Sequence, residues 1–210
     1  MIEIKNGYIT KNRRILLNQI NLKFLNQHIY GLVGINGSGK TMILRTLAGF
    51  SKLTKGNVLQ EGQIIGLGDK TITNAGLVLG DQEFISFLTL EENLRLIKNI
   101  CRNKEKIDLN YWINLYHLSD FKDILFKNLS LGTKKKMVLI QAFMDYPEIL
   151  LLDEPMNGLD EKSVNITKQL IMKHKQNGLV IMISHNKNDI EDLCDYIFHV
   201  KEGTIVSEKY

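Results

Sequence analysis

The 210-residue sequence predicts an α/β fold with a mainly parallel sheet, an N-terminal antiparallel β subdomain and an inserted α-helical subdomain. Three observations predict it. GINGSGKT, Gly34 to Thr41, stands between the apolar run Ile29, Tyr30, Leu32, Val33 and the helix-like MILRTLAGF, giving strand, glycine-rich loop and helix in succession. Two short runs, Ile149 to Leu152 and GLVIMIS near 180, are apolar throughout, as strands covered on both faces must be. Leu94, Ile97, Ile100, then Trp112, Leu115, Leu118, Phe121 and Leu125 recur at helical spacing around the polar gap CRNKEKID. The chain reads as a single domain, 1–210, with a core of 1–82 and 129–210 and a helical insert at about 83–128.

Composition narrows the class. Hydrophobic residues at 44% and charged residues at 24% are ordinary for a globular protein, and no apolar run approaches a bilayer span. MIEIKNGYIT has no basic segment followed by an apolar one, so no secretory signal is expected. The two cysteines, Cys101 and Cys194, stand far apart and outside metal-ligand spacing, which suits reduced thiols in the cytosol. The net charge of +4 is spread out, with KNRR at 11–14 and KKK at 134–136 as the only basic knots. Nucleic acid is therefore not an expected partner.

Taken in order, MIEIKNGYI, INLKF and HIYGLVG alternate as strands before the glycine-rich loop. Tyr8 either stacks on a nucleobase or packs within its strand. The loop itself has the form of a P-loop NTPase. Gly34, Gly37 and Gly39 permit positive φ and close approach, so that the backbone of Gly34, Ile35, Asn36, Gly37, Ser38 and Gly39 can cradle phosphates at a helix N-terminus. Lys40 would reach the β and γ phosphates of ATP, and the Thr41 hydroxyl would ligate the bridging Mg²⁺. SKLTKGNVLQEGQIIGLGDKT, 51–71, then suggests a hairpin or two.

AGLVLG is a further strand ending on Asp81-Gln82, where the Gln82 amide could reach the metal and the attacking water. Ser130 and Gly132 precede a long apolar-periodic helix, as an N-cap or as an anion-binding turn. EILLLDEP ends a buried strand in two acids. Asp153 would hold Mg²⁺ and Glu154 would polarise the water attacking the γ-phosphate. Asp160 in NGLD reads as the cap of the next helix, and His185 closes the last buried strand where it could hydrogen-bond the γ-phosphate. YIFHVKEGTIVSEK suggests a terminal hairpin around Glu202-Gly203.

In this order the motifs resemble the nucleotide-binding subunits of ATP-binding cassette (ABC) transporters, over essentially the full chain. GINGSGKT matches the family's phosphate loop, Gln82 its Q-loop, ILLLDEP its acidic strand, NGLD its D-loop and Ser184-His185 its H-switch. Leu129-Ser130-Leu131-Gly132-Thr133 stands where the family most often has LSGGQ; such SLG variants are familiar in subunits that export peptides and drugs, of the bacteriocin type. The resemblance implies ATP hydrolysis coupled to export, in a head-to-tail homo- or heterodimer. Ser130, Gly132 and Asp160 would then act in trans on the partner's ATP. It also implies a transmembrane permease partner and a cytoplasmic location, peripheral on the membrane's cytoplasmic face. The segment from Phe84 to Thr89 would follow the dimer's motion, with Phe84 and Phe87 either docking on the permease or covering the insert's own core. The adenine-stacking aromatic of the family should lie just before RRIL, and Tyr8 is offset from that place.

Two other readings stand beside it. Asn186-Lys187-Asn188-Asp189 spells the NKxD motif with which small GTPases read guanine, although Asp153 is followed by Glu154, Pro155 and Met156 rather than by Asp-x-x-Gly. The other is a cassette ATPase without a transport task, including one that partners a membrane protein but moves no substrate.

Overall fold

A computed structural model describes residues 1–66, 70–80 and 82–209. Strands β1 (Ile2–Lys11) and β2 (Arg14–Phe24) form a hairpin whose turn residues, Asn12 and Arg13, have φ of 48° and 62°. The basic KNRR segment is this turn. β2 begins well before the predicted INLKF. Register shifts along the β1–β2 ladder, with Asn6 and Gln19 also at positive φ, interrupt the apolar alternation by which a strand is recognised in sequence.

After β3 (Ile29–Val33) and helix α1 (Lys40–Leu47), β4 (Lys55–Gln60) and β5 (Gln63–Ile65) make the next hairpin, turning at Glu61-Gly62. The remainder of the hairpin region predicted over 51–71 includes 67–69, which lie outside the described residues, as does Asp81 beyond β6 (Ala75–Val78). Then come α2 (Leu90–Ile100), α3 (Leu109–Leu115), α4 (Leu131–Phe143), β7 (Ile149–Asp153), α5 (Glu161–Lys175), β8 (Leu179–Ile183), α6 (Lys187–Leu193), β9 (Tyr196–Lys201) and β10 (Thr204–Lys209). The last two strands are the predicted terminal hairpin.

Among the described residues the strands form two sheets. An antiparallel sheet runs β2-β1-β4-β5 and a larger one runs β10-β9-β3-β8-β7-β6. In the larger sheet every neighbouring pair is parallel except β9 and β10. β7 and β8 are interior strands of this sheet, which is why they carry no polar residue before their ends. Period-2 alternation divides their side chains between two cores. Leu151 and Ile181 pack with Ile43, Leu44, Leu47 and Phe24 toward α1 and the antiparallel sheet. Leu150, Leu152 and Met182 pack with Leu94, Trp112 and Met137 toward α2, α3 and α4.

The segment between β6 and α4 is less helical than its apolar spacing predicts. α2 starts at a capping box, with Thr89 accepting from the Glu92 N–H and Glu92 accepting from the Thr89 N–H, and Asp108 caps α3. α3 ends within two turns because His117 is left-handed, at φ 55°, and 119–121 and 126–128 are single 3₁₀ turns. Trp112 and Tyr116 are core residues, as their spacing predicts. Phe84 packs against Phe126 with ring centroids 5.3 Å apart, so it serves the core of this region, whereas Phe87 is 71% exposed. Among the described residues no helix is long and apolar enough to cross a membrane.

The approach of α4 to β6 is set by a missing side chain. A Cβ at Gly76 would lie 1.9 Å from the Ala142 carbonyl oxygen. Gly76→Ala therefore forces sheet and helix apart, at a cost of about 1–3 kcal/mol, and should lower Tm by roughly 2–4 °C for each kcal/mol lost. An unchanged melting temperature would contradict this packing.

Candidate functional site

Parallel register places three loops at one level. Leu32 of β3 and Asp153 of β7 both pair with Ile183 of β8, so the chain leaves the sheet at Gly34, Glu154 and Ser184 along a single carboxyl edge. Such an edge is where doubly wound sheets receive ligands. A cleft of about 480 Å³ opens there, lined by Asn36, Gly37, Gly39, Lys40, Thr41, Asp153 and His185.

The loop from Gly34 to Gly39 is shaped by glycines at positive φ, with Gly37 at 77° and Gly39 at 113°. Gly39 is also the N-cap of α1, whose first N–H groups have no partner within the helix. Lys40 is 6% exposed and folds back over the loop, donating to the Gly34 carbonyl at 2.7 Å and the Ile35 carbonyl at 3.0 Å. Burial pushes its pKa down, while the carboxylates of Glu154 and Asp153 pull it up.

Thr41 Oγ1 donates to Asp153 Oδ2 at 2.7 Å, joining α1 to the end of β7. Glu154 follows at φ 51°, a left-handed conformation, and its N–H donates to the Ile183 carbonyl at 3.0 Å. This turn points its carboxylate to the neighbouring loop: the His185 N–H donates to Oε2 at 3.3 Å, and His185 Nε2 lies 3.4 Å from Oε1 without hydrogen-bond alignment. Burial raises the Glu154 pKa, and the His185 N–H, the His185 ring and Lys40 partly offset the rise. Buried polar side chains ordinarily find partners. Ser38 Oγ, Gln82 Oε1 and Glu154 Oε1, from three of the loops singled out in the sequence, have none among the described residues.

The donors fit a small hard cation. Thr41 Oγ1 and Asp153 Oδ2 are neighbouring oxygens in the cleft, Gln82, whose Oε1 is unpartnered, does not line it, and no group of three or more His, Cys, Asp or Glu among the described residues could enclose a metal alone. So sparse an oxygen set suits Mg²⁺, which keeps waters and takes further ligands from a substrate's phosphates.

Ser130, Gly132 and Asp160 gather elsewhere, and none of them lines this cleft. Ser130 caps α4 by accepting from the Thr133 N–H at 3.2 Å. Asp160 caps α5 by accepting from the Ser163 N–H at 2.9 Å and pairs with Lys136 of α4 at 2.7 Å. These partners hold the Asp160 carboxyl far below the usual carboxylate range. A Cβ at Gly132 would meet the Gly158 carbonyl at 3.4 Å, so the two turns lie side by side.

Of the two readings of Tyr8, the structure favours packing within its strand over a base platform in the cleft. Tyr8 lies in β1 opposite Lys55 of β4, where the ladder shifts register, and does not line the cleft. Ile15, Leu16, Glu202 and Gly203 do. The Glu202-Gly203 turn is fastened there by the Gly203 N–H donating to the Ser38 carbonyl at 2.8 Å and by the Asn18 N–H donating to the Gly203 carbonyl at 2.8 Å. No local pattern marks these residues, since strands distant in sequence bring them together. Nor does the NKND segment present a base-reading carboxylate: Asn186 caps α6, and Asp189, 3% exposed, is bonded to Ser184 and Lys168.

A family model described as ABC transporter matches residues 17–157. The uncharacterized ABC transporter ATP-binding protein YybJ of Bacillus subtilis (strain 168) is 33% identical over 211 residues, covering 100% of this chain and 97% of the relative. The lantibiotic transport ATP-binding protein SrtF of Streptococcus pyogenes is 29% identical over 210 residues, covering 100% of this chain and 90% of its own length. In fold, the chain is similar to a dimeric ATP-binding cassette solved in a post-hydrolysis state with ADP and Pi, with a TM-score of 0.86 at 23% identity over 100% of this chain and 98% of that one.

The Glu154 environment has a consequence for stability. Its pKa in the fold lies above the unfolded value, so its stabilising contribution is complete below the ordinary glutamate pKa and is lost as pH rises through the folded one. At neutral pH the ionised carboxylate is a liability to the ligand-free chain. Glu154→Gln should therefore raise Tm at pH 7, with the difference from wild type shrinking as pH falls below the ordinary glutamate range; an equal or lower Tm at pH 7 would show that the carboxylate is well solvated.

Proposed function

We propose, from the premise that this chain belongs to the ABC transporter family, that it is the ATP-hydrolysing subunit of a membrane exporter with a peptide or drug-like cargo. One observation carries the hydrolytic reading. Lys40, Thr41, Asp153, Glu154 and His185 meet at one sheet edge, and the buried Ser38 Oγ and Glu154 Oε1 in those loops lack hydrogen-bond partners among the described residues. The export reading leans on the SLG form of the Ser130 turn and on likeness to a lantibiotic transport protein.

In this reading the triphosphate lies in the loop from Gly34 to Gly39, against the first N–H groups of α1. Lys40 then exchanges the Gly34 and Ile35 carbonyls for phosphate oxygens, replacing neutral acceptors with charged ones. Thr41, Asp153 and Gln82 would hold Mg²⁺, which would supply positive charge against the β and γ phosphates. Ile15 and Leu16 offer an aliphatic surface where the family uses an aromatic ring. Glu154 takes the proton of the attacking water as its oxygen bonds to the γ-phosphorus and ADP leaves. A raised pKa makes the carboxylate a better proton acceptor than an exposed glutamate would be. His185, held beside it, donates to the γ-phosphate.

Ser130, Gly132 and Asp160 complete the site on a second copy or a homologous subunit, in head-to-tail pairing. That they lie away from this chain's own cleft supports a role in trans. The insert of about 83–128, with exposed Phe87, faces a transmembrane permease, and the subunit sits on the cytoplasmic face of the membrane through that partner. GTP is not the natural substrate in this account, because Asp189 is occupied within the fold.

Glu154→Gln should keep ATP affinity, lose turnover by about 10²- to 10⁴-fold, and accumulate as an ATP-bound dimer in size-exclusion chromatography. Undiminished hydrolysis would place the base elsewhere. Lys40→Ala should weaken nucleotide binding by roughly tenfold or more, the worth of a charged hydrogen bond, in a fluorescent-nucleotide titration; a normal affinity would overturn the phosphate-loop reading.

A further inference from the structure

The His185 ring is 53% exposed, so packing does not fix its approach to Glu154. The backbone around it must. The two residues flanking His185 are tied to one oxygen: Ser184 Oγ accepts from the Asn186 N–H at 3.1 Å, which closes the turn around the histidine. The same hydroxyl donates to Asp189 Oδ2 at 3.2 Å. Asp189 in turn is 3% exposed, and a carboxylate that deep needs a cation. Lys168, near the middle of α5, supplies it at 2.8 Å from Oδ1 and reaches Asp192 of the same helix α6 at 3.3 Å. Hydrogen bonding to Asp189 raises the lysine's pKa, keeping it charged.

We propose that Lys168 is a positioning residue for ATP hydrolysis: acting through Asp189 and Ser184, it sets the turn that holds His185 against Glu154. This rests on the roles proposed above for Glu154 and His185. The lysine touches neither substrate nor metal in this account. Its helix is capped by Asp160, itself paired with Lys136 midway along α4, so α5 is tied at one end to the helix that Ser130 caps and at its middle to the histidine turn. A disturbance of that helix would reach the histidine turn through the Lys168–Asp189 ion pair.

Steady-state ATPase assays and nucleotide titrations on the full chain test the proposal. Lys168→Met should lower kcat by roughly 10- to 100-fold, as a small misplacement of a reacting group does, with KM and nucleotide affinity within about twofold of wild type. Lys168→Arg, which keeps the charge, should recover most of the loss. Because the single change strands a buried carboxylate, Lys168→Met is combined with Asp189→Asn, leaving neither charge unpaired. Positioning predicts a double variant with restored Tm and low kcat. A double variant that regains both, or Lys168→Met with wild-type kcat, would overturn the proposal and leave the pair a clamp between two helices. Glu154→Gln, assayed alongside, separates the two levels. If it has lost turnover while Lys168→Met keeps it, the positioning role alone fails; if it retains turnover, the base assignment fails and the positioning role goes with it.

Discussion

The hydrogen bond from Thr41 Oγ1 to Asp153 Oδ2, 2.7 Å long, joins two loops separated by most of the chain. It forms because β3 and β7 run parallel on either side of β8, with Leu32 and Asp153 both in register with Ile183. That register in turn depends on strands that are apolar on both faces, since a one-residue slip would turn Leu151 toward the wrong core and carry Asp153 with it. Sheet pairing, side-chain alternation and the placement of the acid are one constraint.

Around that bond the fold holds its charges under tension. Lys40 is buried with carbonyls as its hydrogen-bond acceptors, Glu154 is partly buried with one oxygen unpartnered, and each lies within the field of the other. Glu154 also occupies a left-handed conformation that costs about 1–2 kcal/mol for a residue with a Cβ. The chain carries these costs in its ligand-free form. An anion with several oxygens and an associated cation would pair Lys40 and offset the Glu154 charge together, whereas a neutral ligand would do neither.

Much of this was legible in the sequence, because the chemistry-bearing residues sit in continuous motifs. GINGSGKT, ILLLDEP and the Ser184-His185 strand end each carry strand and loop together, and a parallel sheet leaves little freedom in where their ends meet. What was not legible depends on pairing between distant segments. The sequence left Tyr8 open between stacking and packing, because bulges in β1 and β2 hide the hairpin that brings Ile15 and Leu16 to the cleft. Glu202 and Gly203 were visible as a turn, but their bonds to Ser38 and Asn18 exist only once β9 has docked beside β3. Lys136, part of the KKK knot in sequence, and Lys168, in no motif, gain their roles only through Asp160 and Asp189, which the fold brings opposite them. In the insert, apolar spacing overstated the helix content because it cannot show where His117 turns the chain left-handed.

The most direct test of the account is a crystal structure of the Glu154→Gln variant with Mg·ATP. It should show Lys40 Nζ moved from the Gly34 and Ile35 carbonyls to the β and γ phosphates, and the Thr41 Oγ1–Asp153 Oδ2 hydrogen bond broken in favour of the metal. A nucleotide bound away from the loop, or a Lys40 still bonded to its own carbonyls with ATP present, would contradict it.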